Sequence, residues 1–423
     1  MSTMQSASVA NSYTITNCQV CSSDHLIPIM FLGYLPPVNT MPPLGVAPKE
    51  ERAFPAEVLY CQECQLVQLG TVVDAEILFP PTYPYTSGTT KILRDNFSQL
   101  AEEVVARYPL SSSELVVDVG SNDGTLLSNF VQNHRTLGIE PTNAGNLARE
   151  QGIDTLTAYF GEQAAWEVLR EHGPAKVVTC TNCFAHIDKI ADVVENIIRM
   201  MADDGLFISE SHYLLSLVET LQYDTIYHEH LRYYSLSSIK NLLARHGLQV
   251  VHATRIPTHG GSIRVYAAKE GAYAVESSVE ALLEQERQEL NLQKLKEMQR
   301  RITQSKLALY NLLYTIKEQG QRIHGVGAPS RASTLINHVG LDHGILDCVL
   351  EIAGSYKIGK YIPGTRIPVL EESKLYDEHP EYVLLLSWHI AEELMPKLKA
   401  KGYRGDFIIP LPTPRIVANN EVR

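Results

Sequence analysis

ELVVDVGSNDGTLLSNF, residues 114–130, is the stretch whose reading decides the fold. Leu115 to Val119 is a short apolar, β-branched run, the mark of a strand buried on both faces in a parallel sheet. Gly120 breaks the run, and Gly124 stands just before a helical pattern. Strand, glycine turn and helix start would gather backbone N–H groups and the positive end of a helix dipole at one point. The next apolar run, TLGIEP, ends in Glu140. An acid about twenty residues beyond such a turn, at the tip of the second strand, is placed to bind ribose hydroxyls.

The turn is not a dinucleotide fingerprint. Asp118 at the strand end and Asp123 in the turn would repel a pyrophosphate. They suit a ligand that carries an ammonium and a sulfonium, which points to S-adenosylmethionine (SAM). The candidate contacts are Asp118, Gly120, Ser121 and Asn122 around the turn, Glu140 and Pro141 at the second strand, and Asn182 after the strand pattern AKVVTC. GLFISES, LQVVHATRI and SIRVYAAK follow as strands, the last two an antiparallel pair around a turn containing HGG. A parallel sheet finished by an antiparallel hairpin is the class I methyltransferase plan, an α/β doubly wound fold.

The chain around this stretch has 423 residues, enough for two or three domains. Its formal net charge of −12, without Lys/Arg blocks, argues against a nucleic-acid partner. No apolar run reaches the roughly 18 to 20 residues that span a bilayer. The polar start MSTMQSASVANSYTITN lacks the basic and apolar regions of a signal peptide, so a cytoplasmic protein is expected.

Two Cys-x-x-Cys knuckles, Cys18/Cys21 and Cys61/Cys64, offer four thiolates, the set that tetrahedral structural zinc requires. The gap between them must hold strands of its own. A third pair, Cys180 and Cys183, ends a buried strand and reads as packing or pocket lining.

YDTIYHEHLRYYS, residues 223–235, packs three tyrosines, two histidines, an acid and an arginine into the eight positions after Ile226. Its histidines are two apart, which does not fit the His-Glu-x-x-His zinc pattern. The stretch lies between the fifth strand and the helix SLSSIKNLLARHG, so it should overhang the ligand at the carboxyl ends of the strands. FAHIDK, with His186, follows the fourth strand and should reach the same cleft.

Residues 271–320 read as a helical connector rich in Glu, Gln, Lys and Leu. QRIHGVGAPSRASTLINHVG then repeats the strand, glycine loop and helix plan, and DCVLEI, RIPVL, YVLLLSW and DFIIPLP continue a second doubly wound domain. The loop GVGAPSRAST, with Gly325, Gly327, Ser330, Arg331, Ser333 and Thr334, suits a diphosphate, or else only closes the cleft.

These motifs together resemble the SAM-dependent C-methyltransferases of nucleotide-linked keto-sugars. The carriers are the paired knuckles, YPYTSG, VDVGSNDG, FAHI, YHEHLRYYS, HGGSIRVY and HGVGAPSRASTL, and the likeness covers nearly the whole chain. It implies a zinc-binding domain over 1–80, a SAM domain over 81–272, a connector over 273–320 and a Rossmann-like domain over 321–423. It implies catalytic groups at Tyr227, Glu229, His230 and His186, and at Tyr83 or Tyr85. Trp388-His389 stands where many relatives carry Trp-Asn. The expected reaction is methylation of a 4-keto-deoxyhexose at carbon 3 through an enolate. His230 would be the base, made more basic by Glu229, and His186 and Tyr227 would stabilise the enolate. The alternatives are the same chemistry on another ketone-bearing metabolite, and a SAM-binding scaffold without catalysis. The oligomeric state stays open, with a monomer favoured.

Overall fold

The computed structural model describes residues 11–47, 50–79, 88 and 90–422. The central sheet has seven strands: β1 Leu115–Val119, β2 Arg135–Ile139, β3 Thr155–Leu156, β4 Ala175–Thr181, β5 Met201–His212, β6 Leu248–Ile256 and β7 Ser262–Lys269. Their order across the sheet is 3-2-1-4-5-7-6, with β7 antiparallel to both β5 and β6. The fold is a class I methyltransferase sheet, as expected from the apolar runs. Val116, Val117 and Val178 are fully buried in it, each contributing about 1.5–3 kcal/mol of apolar burial.

One expected element is missing. No α-helix follows Gly124; the chain makes a single 3-10 turn, Leu127–Asn129, before β2. Leu126, Leu127 and Phe130 are pulled into the core that the helix Lys91–Arg107 and the sheet enclose, and this packing overrides the helical pattern. The glycine turn therefore has no helix dipole above it.

The N-terminal module is a four-stranded antiparallel sheet in the order Leu26–Leu35, Phe54–Cys61, Val67–Leu69, Arg232–Tyr233. The last strand belongs to the stretch YDTIYHEHLRYYS, so the central domain completes the module's sheet. On its other side the module reaches the C-terminal domain: Pro43 bridges Lys360, and the Tyr361 N–H donates to the Pro42 carbonyl at 2.7 Å.

The connector is two helices, Ser277–Glu289 and Leu292–Glu318. Val279 and Leu283 of the first join the central core. Leu295, Met298, Ile302, Leu309, Leu313 and Ile316 line one face of the second, which joins the core shared with the N-terminal module and the C-terminal sheet. That C-terminal sheet has five parallel strands (Pro368–Glu371, Cys348–Glu351, Ile323–Val326, Tyr382–Leu385, Asp406–Ile409) with antiparallel edges at Lys360–Tyr361 and Arg415–Val417. Among the described residues no helix is long and apolar enough to cross a membrane.

Candidate active site

A cavity of about 1560 Å³ runs from the glycine turn of the central sheet to the C-terminal domain. Gly120, Asn122, Glu140, Pro141 and Asn182 line one end; His186, Tyr227, Glu229 and His230 line the middle; Arg331 and His389 close the far side. The carboxyl ends of β1, β2, β4 and β5 open into it, as doubly wound sheets arrange their ligands.

The cofactor end is built from constrained backbone. Asn122 and Asn182 both hold left-handed φ, 51° and 55°, a strained conformation for a residue with a side chain. Glu140 is buried at the tip of β2, and its carboxylate accepts the Asn122 N–H at 3.0 Å and the Thr142 N–H at 2.8 Å. Two of its lone-pair positions remain for a ligand. The Asn182 Oδ1 is buried without a partner, an acceptor left over for a bound group. Two expected contacts fall elsewhere. Asp118 is turned away from the cavity, where Thr179 Oγ1 donates to it at 2.6 Å and burial pushes its carboxyl up to about 7. The Ser121 hydroxyl packs towards Gly138, where a side-chain Cβ would come within 2.4 Å of it.

The stretch from Tyr223 to Ser235 lines this cavity through Thr225, Tyr227 and residues 229–233. All of it is buried. Its backbone is tied on three sides: Leu69 N to Leu231 O, Leu231 N to Ala185 O, and Leu214 N to Tyr234 O, at 2.8–3.0 Å. Arg232 donates to the carbonyls of Ile187 and Asp188. His228 packs on Phe54 and meets the Pro55 carbonyl at 3.2 Å. Tyr234 stacks on Phe184. His228 and Tyr234 thus serve packing against neighbouring elements.

His230 faces the cavity. Its Nδ1 donates to the Thr225 carbonyl at 2.8 Å, which leaves Nε2 as the basic nitrogen. Burial, then the nearby His186, push its imidazole well below the ordinary histidine range, so the ring is neutral. The ring of Tyr227 lies 4.2 Å from it and that of His186 4.9 Å, centroid to centroid. Burial lowers His186 to about 4, and its Nδ1 is buried without a partner. Burial, with Glu229 acting in the same direction, keeps the Tyr227 hydroxyl protonated. Glu229 accepts from Asn39 Nδ2 of the N-terminal module at 2.7 Å. Tyr83 and Tyr85 lie outside the described residues.

Three further histidines complete the cluster. His212 ends β5, with its ring 4.8 Å from His230, and His259 of the HGG turn lies 5.4 Å from His212. His389 faces them across the cavity, lowered to about 2 by burial and by Arg331. The rule that ligands gather at carboxyl ends of strands would have found His212. His259 stands in the HGG motif, whose glycines by themselves signal only a turn. Those glycines let the turn lie close: a Cβ at Gly260 would meet Gln222 Oε1 at 2.5 Å.

The four N-terminal cysteines converge, as their spacing predicts. Cys18 and Cys64 Sγ lie 3.4 Å apart, Cys21 and Cys61 3.5 Å, and all four sulfurs sit within 4.8 Å of one another. Tetrahedral zinc with bonds of about 2.3 Å sets its sulfurs roughly 3.8 Å apart, so the thiols fit the ion closely. Each knuckle ends on a left-handed residue, Ser22 and Gln65, immediately after its second cysteine. Among the described residues this is the cluster able to hold a metal. Cys180 and Cys183 Sγ lie 2.8 Å apart, and Cys183 lines the cavity beside Gly120.

Three families of known proteins match successive parts of the chain. A zinc binding domain family matches residues 18–79, a methyltransferase domain family residues 91–253, and a C-methyltransferase C-terminal domain family residues 257–412. C-methyltransferase NovU of Streptomyces niveus is 32% identical over 412 residues, 96% of this chain and 97% of NovU. Among solved structures, an S-adenosylmethionine-dependent methyltransferase from Clostridium acetobutylicum matches 43% of this chain and 94% of its own, at 13% identity and a TM-score of 0.34. Magnesium protoporphyrin IX methyltransferase from Synechocystis, with bound SAM, matches 42% of this chain and 79% of its own, at 12% identity and a TM-score of 0.32.

Proposed function

Because the chain belongs to the family of SAM-dependent C-methyltransferases with a zinc-binding domain, we propose that its acceptor is a nucleotide-linked 4-keto-deoxyhexose, methylated at carbon 3 through an enolate. The observation that carries the reading is the meeting of a neutral, aimed base with two proton-bearing groups in one cavity: His230 with His186 and Tyr227.

Carbon becomes a nucleophile only after it loses a proton. His230 Nε2 takes the proton from the carbon beside the ketone, and the electron pair spreads onto the ketone oxygen. Burial keeps the imidazole unprotonated before the substrate arrives. His186 and the Tyr227 hydroxyl donate to the developing oxyanion, where preformed donors in a dry site stabilise charge most. Gly120, Asn122, Glu140 and Asn182 would hold SAM, which would supply an already activated methyl group. The residues that hold the two reactants together therefore supply most of what methyl transfer still requires. The tight backbone of residues 223–235 limits how far the base can stray.

The test is a mass-spectrometric assay of the zinc-loaded protein with SAM and a panel of nucleotide-linked 4-keto-6-deoxyhexoses, run in parallel in deuterated water. One added methyl on carbon, with deuterium entering the neighbouring position when SAM is left out, is the expected result. No methylation and no exchange on any sugar would overturn the substrate class.

A further inference from the structure

Arg331, expected to help hold a diphosphate, is committed elsewhere. It stands at the start of the helix Ser330–Val339 in the C-terminal domain, and its side chain is 7% exposed. Its Nε and Nη2 donate to the two carboxylate oxygens of Asp224, each at 2.7 Å, and Nη2 also donates to Gln222 Oε1 at 3.2 Å. The Trp388 indole N–H donates to Asp224 Oδ2 at 2.7 Å, and the guanidinium lies over the Trp388 ring at 4.9 Å. One buried carboxylate thus receives three donors from another domain.

Asp224 lies in the 3-10 turn Tyr223–Thr225, and the residue after it supplies the carbonyl that accepts His230 Nδ1–H. We propose that Arg331 and Trp388 are positioning residues: by clamping Asp224 they fix the Thr225 carbonyl, and so the tautomer and angle of His230. The proposal rests on the reading of His230 as the base.

Within the turn, the Thr225 N–H and hydroxyl both donate to the Gln222 carbonyl, and the clamp on Asp224 ties the turn as a whole to the C-terminal domain. A bidentate guanidinium fixes distance and angle together, which an ammonium cannot do. The pair is buried, so breaking it leaves a stranded charge and frees the turn to shift. The clamp also places a cation beside the histidines. His230 is faced by the rings of His186, His212, Tyr227 and Tyr233, with His259 further off, and Arg331 acts on it in the direction of deprotonation. The C-terminal domain would then be required for a base that sits entirely in the central domain.

The test reads His230 directly. Full-length, zinc-loaded protein labelled with 15N-histidine is observed by NMR, with the His230 signals assigned by their loss in His230→Gln. The wild type should show an Nδ1–H ring. Arg331→Gln and Asp224→Asn should give mixed tautomers, and Arg331→Gln should also move the titration of His230 upward, since a cation has been removed. Arg331→Lys should hold the titration nearer its original place while still mixing tautomers. Trp388→Phe, which removes the donor along with the pyrrole half of the indole and leaves Arg331 and Asp224 in place, should act in the same direction and decides the matter if the charge variants fail to fold. With an accepted keto-sugar, kcat should fall about a hundredfold with KM little changed. Unchanged tautomer and titration in Arg331→Gln and Trp388→Phe would overturn the clamp. Failure of the wild type to methylate any sugar would count against the substrate reading and would leave the NMR result standing.

Discussion

Asn39 Nδ2 donates to Glu229 Oε1 at 2.7 Å, so the N-terminal module grips the residue next to the candidate base in sequence. His230 takes its orientation from Thr225. Replacing Glu229 by Gln keeps the Asn39 contact and should therefore slow methyl transfer less than replacing His230. Steady-state rates of the two variants on one accepted keto-sugar decide the order; equal losses would return Glu229 to a direct role.

His230→Gln should lower kcat by roughly 10²–10⁴, the usual worth of a positioned base. SAM affinity should hardly change, because the residues assigned to hold SAM, Gly120, Asn122, Glu140 and Asn182, are left intact. Calorimetric titration with SAM beside the rate assay checks both halves. A variant that no longer binds SAM would remove His230 from the role of base.

Loss of zinc should reach the chemistry as well as the fold. The strand Val67–Leu69 follows Cys64 closely and pairs with Arg232–Tyr233, two residues past His230. Zinc binding in small zinc folds is worth about 10–16 kcal/mol, so a site missing one thiolate should unfold its module rather than loosen it. Cys61→Ser should contain less than one zinc per chain by elemental analysis, become sensitive to protease between residues 11 and 73, and lose kcat in the soluble fraction that survives.

Arg264 and Glu210 form a fully buried ion pair at 2.6 Å, joined by Asn96 from the helix Lys91–Arg107. Arg264→Met removes one partner and strands the Glu210 carboxylate. The expected loss is about 3–5 kcal/mol, read as a lower urea midpoint. Glu210→Gln with Arg264→Met should recover part of it, because the fully buried carboxylate is then no longer charged, while Glu103, the other partner of Arg264, is partly exposed.

Stability should fall between pH 6.5 and 4. Burial depresses His186 and His259 to about 4 from the ordinary 6.5, so in that window the unfolded chain binds two protons that the folded chain does not. Stability that these two contribute is present above 6.5 and lost as pH falls towards 4. Asp118 opposes them: its folded value of about 7 lies above the ordinary 3.8, so its contribution is largest at low pH and disappears as pH rises through 7. Two losses against one gain leave a net fall. Thermal midpoints at pH 7 and pH 5 test it, and Asp118→Asn should steepen the fall.

The parallel strands were legible because a strand buried on both faces writes itself as an unbroken apolar run. The zinc knuckles were legible because their spacing is local. The helix after Gly124 was misread because its apolar positions serve a core contact instead, and nothing in residues 125–134 declares that. Arg331 could not be read correctly: its partner lies 107 positions away, and its setting in a glycine loop suggested an anion. His230 was found by motif, but its acceptor is a backbone carbonyl, which no side-chain pattern reveals. The strand Arg232–Tyr233 is only two residues long and exists because Val67–Leu69 offers it an edge.

The borrowed strand sets an order of events during synthesis. The zinc module leaves the ribosome before the central domain and cannot complete its sheet until residue 233 has emerged, some 160 residues after its own last strand in that sheet. At the roughly 5–20 residues per second of translation, the edge of Val67–Leu69 stays open for on the order of ten to thirty seconds. An open edge of that kind invites pairing with another nascent chain. Early capture of zinc by the four cysteines would keep the rest of the module compact through that interval, and metal supply would then govern how much of this protein a cell obtains.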